Sequence, residues 1–126
     1  MKNIPKNVHI YTNVPQTEVL KQTDVFVTHG GMNSISEAFI YGVPMVVVPF
    51  MSDQPVNARR VEELGLGVQL DYHIMDKEVL RRTVLSVLEN AHIKEKAIKI
   101  QEQIYNAPGN VGGAEAIVSY VRGTFK

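Results

Sequence analysis

Four short runs of apolar and β-branched residues recur along the first half of the chain. They lie at residues 8–11, 25–28, 45–48 and 67–70. Runs of this length and composition are typical of strands. The run at 45–48 is apolar at every position and is bounded by Pro44 and Pro49. This pattern predicts a strand that is buried on both faces.

Longer stretches with helical spacing of apolar residues separate and follow these runs. They lie at residues 15–22, 33–41, 55–64, 76–89 and 93–105, and a last one follows Gly113. Gly42 and Gly65 are placed to end two of these helices, and Asp76 is placed to cap another. Strands that alternate with helices predict one α/β domain: a Rossmann-like, three-layer parallel sheet of about four strands flanked by helices.

Composition and charge narrow the class of protein. Thirteen basic residues balance thirteen acidic ones, so the chain lacks the basic surface of a general nucleic-acid binder or a polybasic membrane anchor. The chain has no cysteine, which excludes a disulfide scaffold and a thiolate nucleophile. No segment has the roughly 18 continuous apolar residues of a membrane helix. We therefore expect a soluble, cytoplasmic domain.

Parallel α/β sheets bind ligands outside the carboxyl ends of their strands. This rule selects three loops, at residues 12–16, 29–34 and 49–54. These loops also contain the chemically unusual residues of the chain, so position and chemistry agree.

The second loop begins with His29, Gly30 and Gly31, directly after a strand and before a helix. Two glycines allow a sharp turn with exposed N–H groups, and the helix amino terminus adds a positive dipole end. This predicts an anion site to which His29, Asn33 and Ser34 could contribute. Glu37 lies on the same helix face and suits two neighbouring hydroxyls. A tight turn with Asn33 or Ser34 as an ordinary helix cap is the competing interpretation.

The other two loops carry weaker signals. Asp53 and Gln54 follow the most apolar strand, and a carboxylate beside an amide suits the hydroxyls of a sugar. The competing interpretation is that Asp53 caps the helix that begins near Pro55. The loop with Asn13 and Gln16 could contact the edge of a base, or it could be a proline-containing turn.

Together these motifs resemble the carboxy-terminal domain of UDP-dependent glycosyltransferases, especially the bacterial macrolide-type enzymes. The motifs are Val14-Pro15-Gln16, His29-Gly30-Gly31-Met32-Asn33-Ser34 with Glu37, Gly42-Val43-Pro44, and Asp53-Gln54-Pro55. The order and spacing of four motifs are far more specific than a single glycine loop. The resemblance extends over nearly the whole chain.

The resemblance implies a GT-B architecture, in which two Rossmann-like domains face each other across a cleft. Residues 1–126 would form a single donor-binding domain, without the amino-terminal acceptor domain and the first donor-domain strands. It implies diphosphate contacts from His29, Gly30, Gly31, Asn33 and Ser34, ribose contacts from Glu37, base contacts from Asn13, Val14 and Gln16, and sugar contacts from Asp53 and Gln54. Many members carry a tryptophan where this chain has Asn13, so uridine and thymidine donors both stay open.

The implied reaction is inverting transfer of a hexosyl group from a UDP-sugar, such as UDP-glucose, to an acceptor hydroxyl, with no metal ion or other cofactor. The family's catalytic base is a histidine of the acceptor domain, so we expect no catalytic residue here and no transfer by this chain alone. A small-molecule acceptor would bind through that other domain, and an exposed sheet edge favours self-association. The alternatives are a non-catalytic module that binds a nucleotide or a protein partner, and part of a nucleotide-sugar epimerase or a lipid-linked N-acetylglucosaminyltransferase.

Overall fold

The computed structural model describes residues 4–106 and contains, within them, a three-stranded parallel sheet. Strands β1 (Phe26–Thr28), β2 (Met45–Val47) and β3 (Gly67–Gln69) lie side by side in that order. The register pairs Val27 with Val46 and Val46 with Val68. The predicted α/β class and parallel sheet are confirmed.

Five helices accompany this sheet in the part of the chain that the structure describes. They are α1 (Gln16–Leu20), α2 (Met32–Tyr41), α3 (Gln54–Glu63), α4 (Lys77–Leu88) and α5 (Ala91–Tyr105). Gly42 ends α2 in a left-handed conformation with φ of 64°, as its position after the helix predicts. The Asp76 carboxylate accepts a hydrogen bond from the Val79 N–H and caps α4, which confirms that prediction. The helix expected after Gly113 lies outside the described residues.

The prediction of a strand at residues 8–11 was wrong. This segment is irregular, and the exposed fractions of Val8, Ile10 and Tyr11 are 45%, 57% and 68%. β-Branched and aromatic residues favour a strand only when a neighbouring strand and an apolar surface receive them. Neither meets this segment within residues 4–106, so the sheet there has three strands rather than four.

The sheet separates two apolar cores, and the central strand contributes to both. Met45 and Val47 face the core formed with α1, α2, α3 and α5, whereas Val46 and Val48 face the core formed with α4. All three residues of β2 have an exposed fraction of 0%. The prediction of a strand buried on both faces is confirmed, and the sheet with its two helical layers makes the carboxyl edge a rigid platform.

Candidate functional site at the carboxyl edge of the sheet

Three of the predicted site residues come together although they lie on two helices. The Gln16 side chain, at the start of α1, donates from Nε2 to Ser34 Oγ at 3.5 Å and to Glu37 Oε1 at 3.3 Å. Ser34 and Glu37 are neighbours on α2 because a helix brings residues three apart onto one face. The structure therefore joins the predicted base, diphosphate and ribose residues in one partly buried polar cluster.

The turn between β1 and α2 requires glycine at its first position. Gly30 has φ of 94°, and a Cβ atom there would lie 2.7 Å from Cγ1 of Val47. Gly31 has ordinary extended angles, φ −64° and ψ 150°. No atom of the described residues lies within 4 Å of the position that a Gly31 Cβ would take. The first glycine is thus needed for the turn, whereas the second leaves open space at the helix amino terminus.

The amino terminus of α2 is not capped by a side chain from residues 4–106. The first N–H to bond within the helix is that of Ile35, which donates to the Gly31 carbonyl at 3.1 Å. The preceding amides of residues 32–34 belong to the group that a helix leaves without intrahelical partners. The capping interpretation of Asn33 and Ser34 does not describe this structure. The helix end instead offers N–H donors and a positive dipole to an anion.

His29 is exposed at the end of β1 and is oriented by the next strand. Its Nδ1 atom lies 3.1 Å from the Val48 carbonyl oxygen. A carbonyl can only accept, so Nδ1 carries the proton and donates it. The ring is fixed through this bond, and Nε2 is the nitrogen left for a ligand.

The loop after β2 is shaped by Gln54. Its Oε1 atom accepts hydrogen bonds from the Phe50 and Met51 N–H groups, at 2.9 and 3.0 Å. These bonds close a turn in which Ser52 adopts the left-handed region, with φ of 57°. Asp53 is exposed directly before α3, and its side chain makes no cap hydrogen bond to the described residues. The capping interpretation of Asp53 therefore does not apply either.

Asn13 and Val14 lie on an exposed segment that leads into α1. The structure brings Gln16 of this loop to Ser34 and Glu37, as described above. Asn13 and Val14 precede that contact without a hydrogen bond to the site within residues 4–106.

The reasoning from sequence missed two aromatic residues at this edge. Phe50 and Tyr72 follow β2 and β3, and their rings meet edge to face at a centroid distance of 4.9 Å. Tyr72 also lines an apolar cleft of about 190 Å³ together with Val27, Thr28, His29, Val48, Met75 and Leu80. The available signal was the position of each aromatic residue just after a strand.

Asn57, on the buried face of α3, was also missed by the reasoning from sequence. Its exposed fraction is 5%, and its Nδ2 atom donates to the Gly30 carbonyl oxygen at 2.9 Å. The signal was a polar residue next to Ala58 and one turn before Val61, both fully buried. An amide in such a place needs a partner, because a buried polar group without one is costly.

Residues 4–106 contain neither a cluster of metal-binding side chains nor a membrane-spanning helix. No three histidine or acidic side chains converge closely enough to form a metal site. No described helix combines the length and apolar character needed to cross a bilayer.

A glycine turn, an open helix amino terminus and polar loops lie at one edge of a parallel sheet. Domains of this α/β class typically bind their ligands at this edge, outside the strand ends. The chain belongs to the family described as "UDP-glucoronosyl and UDP-glucosyl transferase", which matches residues 2–108. The resemblance to UDP-dependent glycosyltransferases inferred from the motifs is confirmed.

Known proteins similar to this chain carry the names of glycosyltransferases. The NDP-glycosyltransferase YjiC of Bacillus licheniformis is 40% identical over 119 residues, which cover 94% of this chain and 30% of the relative. The solved glycotransferase of kitacinnamycin is 34% identical with a TM-score of 0.78, over 98% of this chain and 30% of that protein. A UDP-glucose:anthocyanidin 3-O-glucosyltransferase in complex with UDP is 31% identical with a TM-score of 0.72, over 88% and 26%. The chain thus spans less than a third of the length of these proteins.

Proposed function

We propose that this chain binds the UDP-sugar donor of an inverting, metal-independent glycosyltransferase, and that the donor diphosphate lies at the amino terminus of α2. The observation that carries this proposal is the uncapped amino terminus of α2, which directly follows Gly30 and Gly31. It combines unpartnered amide donors, the positive end of the helix dipole and the oriented ring of His29 at one edge of the sheet. These are the features that an anionic ligand requires.

Glu37 would bind the ribose of the donor. Its Oε1 atom already accepts from Gln16, so the carboxylate is held in place and its second oxygen can accept from ribose hydroxyls. The distance of one helical turn from the open amino terminus fits a ribose attached to a diphosphate. Gln16 uses its amide nitrogen for these contacts, so its carbonyl oxygen is the acceptor that it can offer to the N–H edge of a base.

Asp53 and Gln54 would bind hydroxyls of the transferred hexose. The Asp53 carboxylate is exposed and is not used as a helix cap to the described residues. Gln54 spends its carbonyl oxygen on the loop backbone, so its amide NH₂ would donate to the sugar. This division of roles gives the sugar one acceptor and one donor on a fixed loop.

In the proposed reaction a general base removes the proton of an acceptor hydroxyl, whose oxygen attacks the anomeric carbon from the side opposite the diphosphate. The bond between the anomeric carbon and the phosphate oxygen breaks, and the diphosphate leaves with the electron pair. The amides at the start of α2 and the His29 ring would stabilise this developing charge. We assign the base and the acceptor pocket to residues outside this chain and expect no transfer by the chain alone.

Affinity measurements on paired variants test this proposal. We expect His29→Ala and Glu37→Ala each to weaken UDP binding to the 126-residue chain by about tenfold or more in calorimetry, since each removes a charged or polar contact to the ligand. His92→Ala and Glu95→Ala are the matched controls, because α5 runs beside Gly42 and Gly65 at the amino ends of the strands. Equal affinities for all four variants and the unchanged chain would overturn the assignment.

A further inference from the structure

Asn57 makes hydrogen bonds to two loops of the candidate site, those that contain Gly30 and Asp53. It lies on α3, is almost fully buried, and donates to the Gly30 carbonyl 27 positions away. We propose that Asn57 is a positioning residue for the diphosphate site: it fixes the orientation of the Gly30–Gly31 peptide so that the Gly31 N–H faces the ligand. This inference rests on the proposed function and adds a residue that would not itself touch the donor.

The geometry of the peptide group carries the first step. In a trans peptide the carbonyl and the following N–H point in opposite directions. The structure has no cis peptide among the described residues, so holding the Gly30 oxygen inward turns the Gly31 N–H outward. The position that a Gly31 Cβ would take is also open, because apart from the chain neighbours of Gly31 no described atom lies within 4 Å of it. One buried hydrogen bond thus orients one N–H toward the space proposed for the diphosphate.

A peptide between two glycines needs such a constraint. Glycine populates positive and negative φ about equally, so a Gly–Gly peptide can rotate at little cost. Gly30 already stands at φ of 94°, where few other residues are accommodated. Without a partner for its carbonyl, the turn has other orientations of similar energy. Asn57 selects one of them, because the alternative leaves both the amide and the carbonyl buried and unpaired.

Asn57 also links the loop at residues 49–54, proposed to bind the sugar, to the loop at residues 29–34, proposed to bind the diphosphate. Asn57 lies one helical turn after Asp53, and its backbone N–H donates a hydrogen bond to the Asp53 carbonyl oxygen at 3.0 Å. A Gly30 Cβ atom would also lie 3.6 Å from the Gln54 carbonyl oxygen, so the two loops approach closely here. A displacement of the start of α3 would therefore be transmitted to the Gly30–Gly31 peptide.

Asn57→Asp is the informative variant because it keeps the shape and removes the donor while the carboxylate is ionised. In the ligand-free chain we expect NMR shift changes at the Gly30 carbonyl ¹³C and the Gly31 amide ¹⁵N, and a return toward the original shifts when acid protonates the carboxyl and restores an O–H donor. We expect UDP affinity to fall by about tenfold at a pH at which this carboxylate is ionised. Asn57→Ala, which removes the donor without adding charge, replaces it if the acidic variant does not fold.

Val61→Ala is the control for a merely structural role. Val61 is one turn further along the same buried face of α3, and its truncation weakens the core without touching Gly30. It should lower stability but leave the Gly30 and Gly31 shifts and the UDP affinity unchanged. If the Asn57 variants match Val61→Ala in both readouts, the inference is overturned. Failure of the unchanged chain to bind UDP would instead overturn the proposed function, while the carbonyl shift would still decide whether Asn57 fixes the peptide.

Discussion

The Val48 carbonyl determines which proton the His29 ring carries. Because Nδ1–H donates to that carbonyl, the neutral ring presents Nε2 as an acceptor rather than a donor. A phosphate oxygen also accepts, so the proposed contact between Nε2 and the diphosphate requires the charged ring. At the scale of this residue, the proposed contact joins an imidazolium N–H to an anionic oxygen.

This contact predicts that His29→Gln, whose side-chain amide remains a donor, binds UDP-glucose more tightly than His29→Ala, which has no donor at this position. Calorimetry of the two variants beside the unchanged chain is the measurement. Equal affinities of the two variants would contradict a hydrogen bond from residue 29 to the diphosphate.

Gly30 and Gly31 should differ in whether they matter for stability or for UDP binding. Gly30→Ala should lower the free energy of unfolding by roughly 1–3 kcal/mol, because its Cβ would meet Val47 at a strained φ. Gly31→Ala should change it by less than about 0.5 kcal/mol, because its backbone angles suit any residue and its Cβ would enter open space. The same Cβ would occupy the space proposed for the diphosphate and should weaken UDP binding.

Urea denaturation and UDP titration of both variants measure these effects. If Gly31→Ala binds UDP as tightly as the unchanged chain, the diphosphate does not lie next to Gly31. If the two variants are equally destabilised, the two positions do not differ in the way that their geometry implies.

The sequence predicted His29 and Asp53 as site residues because each follows a strand, and Glu37 because it lies on the helix after the glycine turn. The same reasoning missed Asn57, which lies inside a helix where an amide looks like any polar surface residue. Only the packing of α3 against the sheet reveals that this position faces inward, toward Gly30. Its role depends on a contact between distant parts of the chain, which no local pattern encodes.

At the scale of whole helices, capping separates those that carry site residues from those that do not. Asp76 and Asn90 cap α4 and α5 through their side chains. Helices α1, α2 and α3 begin without a side-chain cap from the described residues. An uncapped helix end is less stable but leaves its amides for a ligand. The contrast fits a division between structural helices and helices at a binding edge.

This division predicts opposite results for two substitutions near helix starts. Asp76→Ala should lower the free energy of unfolding by about 1 kcal/mol, since it removes a helix cap. It should leave UDP affinity unchanged, because Asp76 is not one of the proposed donor contacts and its carboxylate is used by the Val79 N–H. Asn33→Ala should leave stability within about 0.5 kcal/mol and weaken UDP binding, because Asn33 does not cap α2. A loss of stability in Asn33→Ala equal to that in Asp76→Ala, measured by urea denaturation, would contradict the division.

Local patterns predicted most of the helices and strands because their signals act within one element. Gly42 and Asp76 mark helix ends through their own backbone or side-chain chemistry, and both were identified. The strand expected at residues 8–11 was wrong for the converse reason. Strand formation depends on a neighbouring strand, and β-branched residues alone do not supply one.

At the scale of the whole molecule, the parallel sheet explains why residues distant in sequence can form one site. The strands are parallel, so the loops after β1 and β2 lie at the same edge of the sheet. α1 adds Gln16 to this edge through its bonds to Ser34 and Glu37. The fold therefore assembles the proposed donor site from three separate segments, and α5 lies beside the opposite ends of the strands.

The central claim is that this chain binds a nucleoside diphosphate at the amino terminus of α2, and an NMR titration of backbone amides tests it most directly. The 126-residue chain would be titrated with UDP, UDP-glucose, TDP and ADP. We predict shift changes confined to residues 13–16, 29–37 and 53–54, strongest for the uridine nucleotides. A well-dispersed spectrum that no nucleotide perturbs, or shifts centred on α5 instead, would contradict the account.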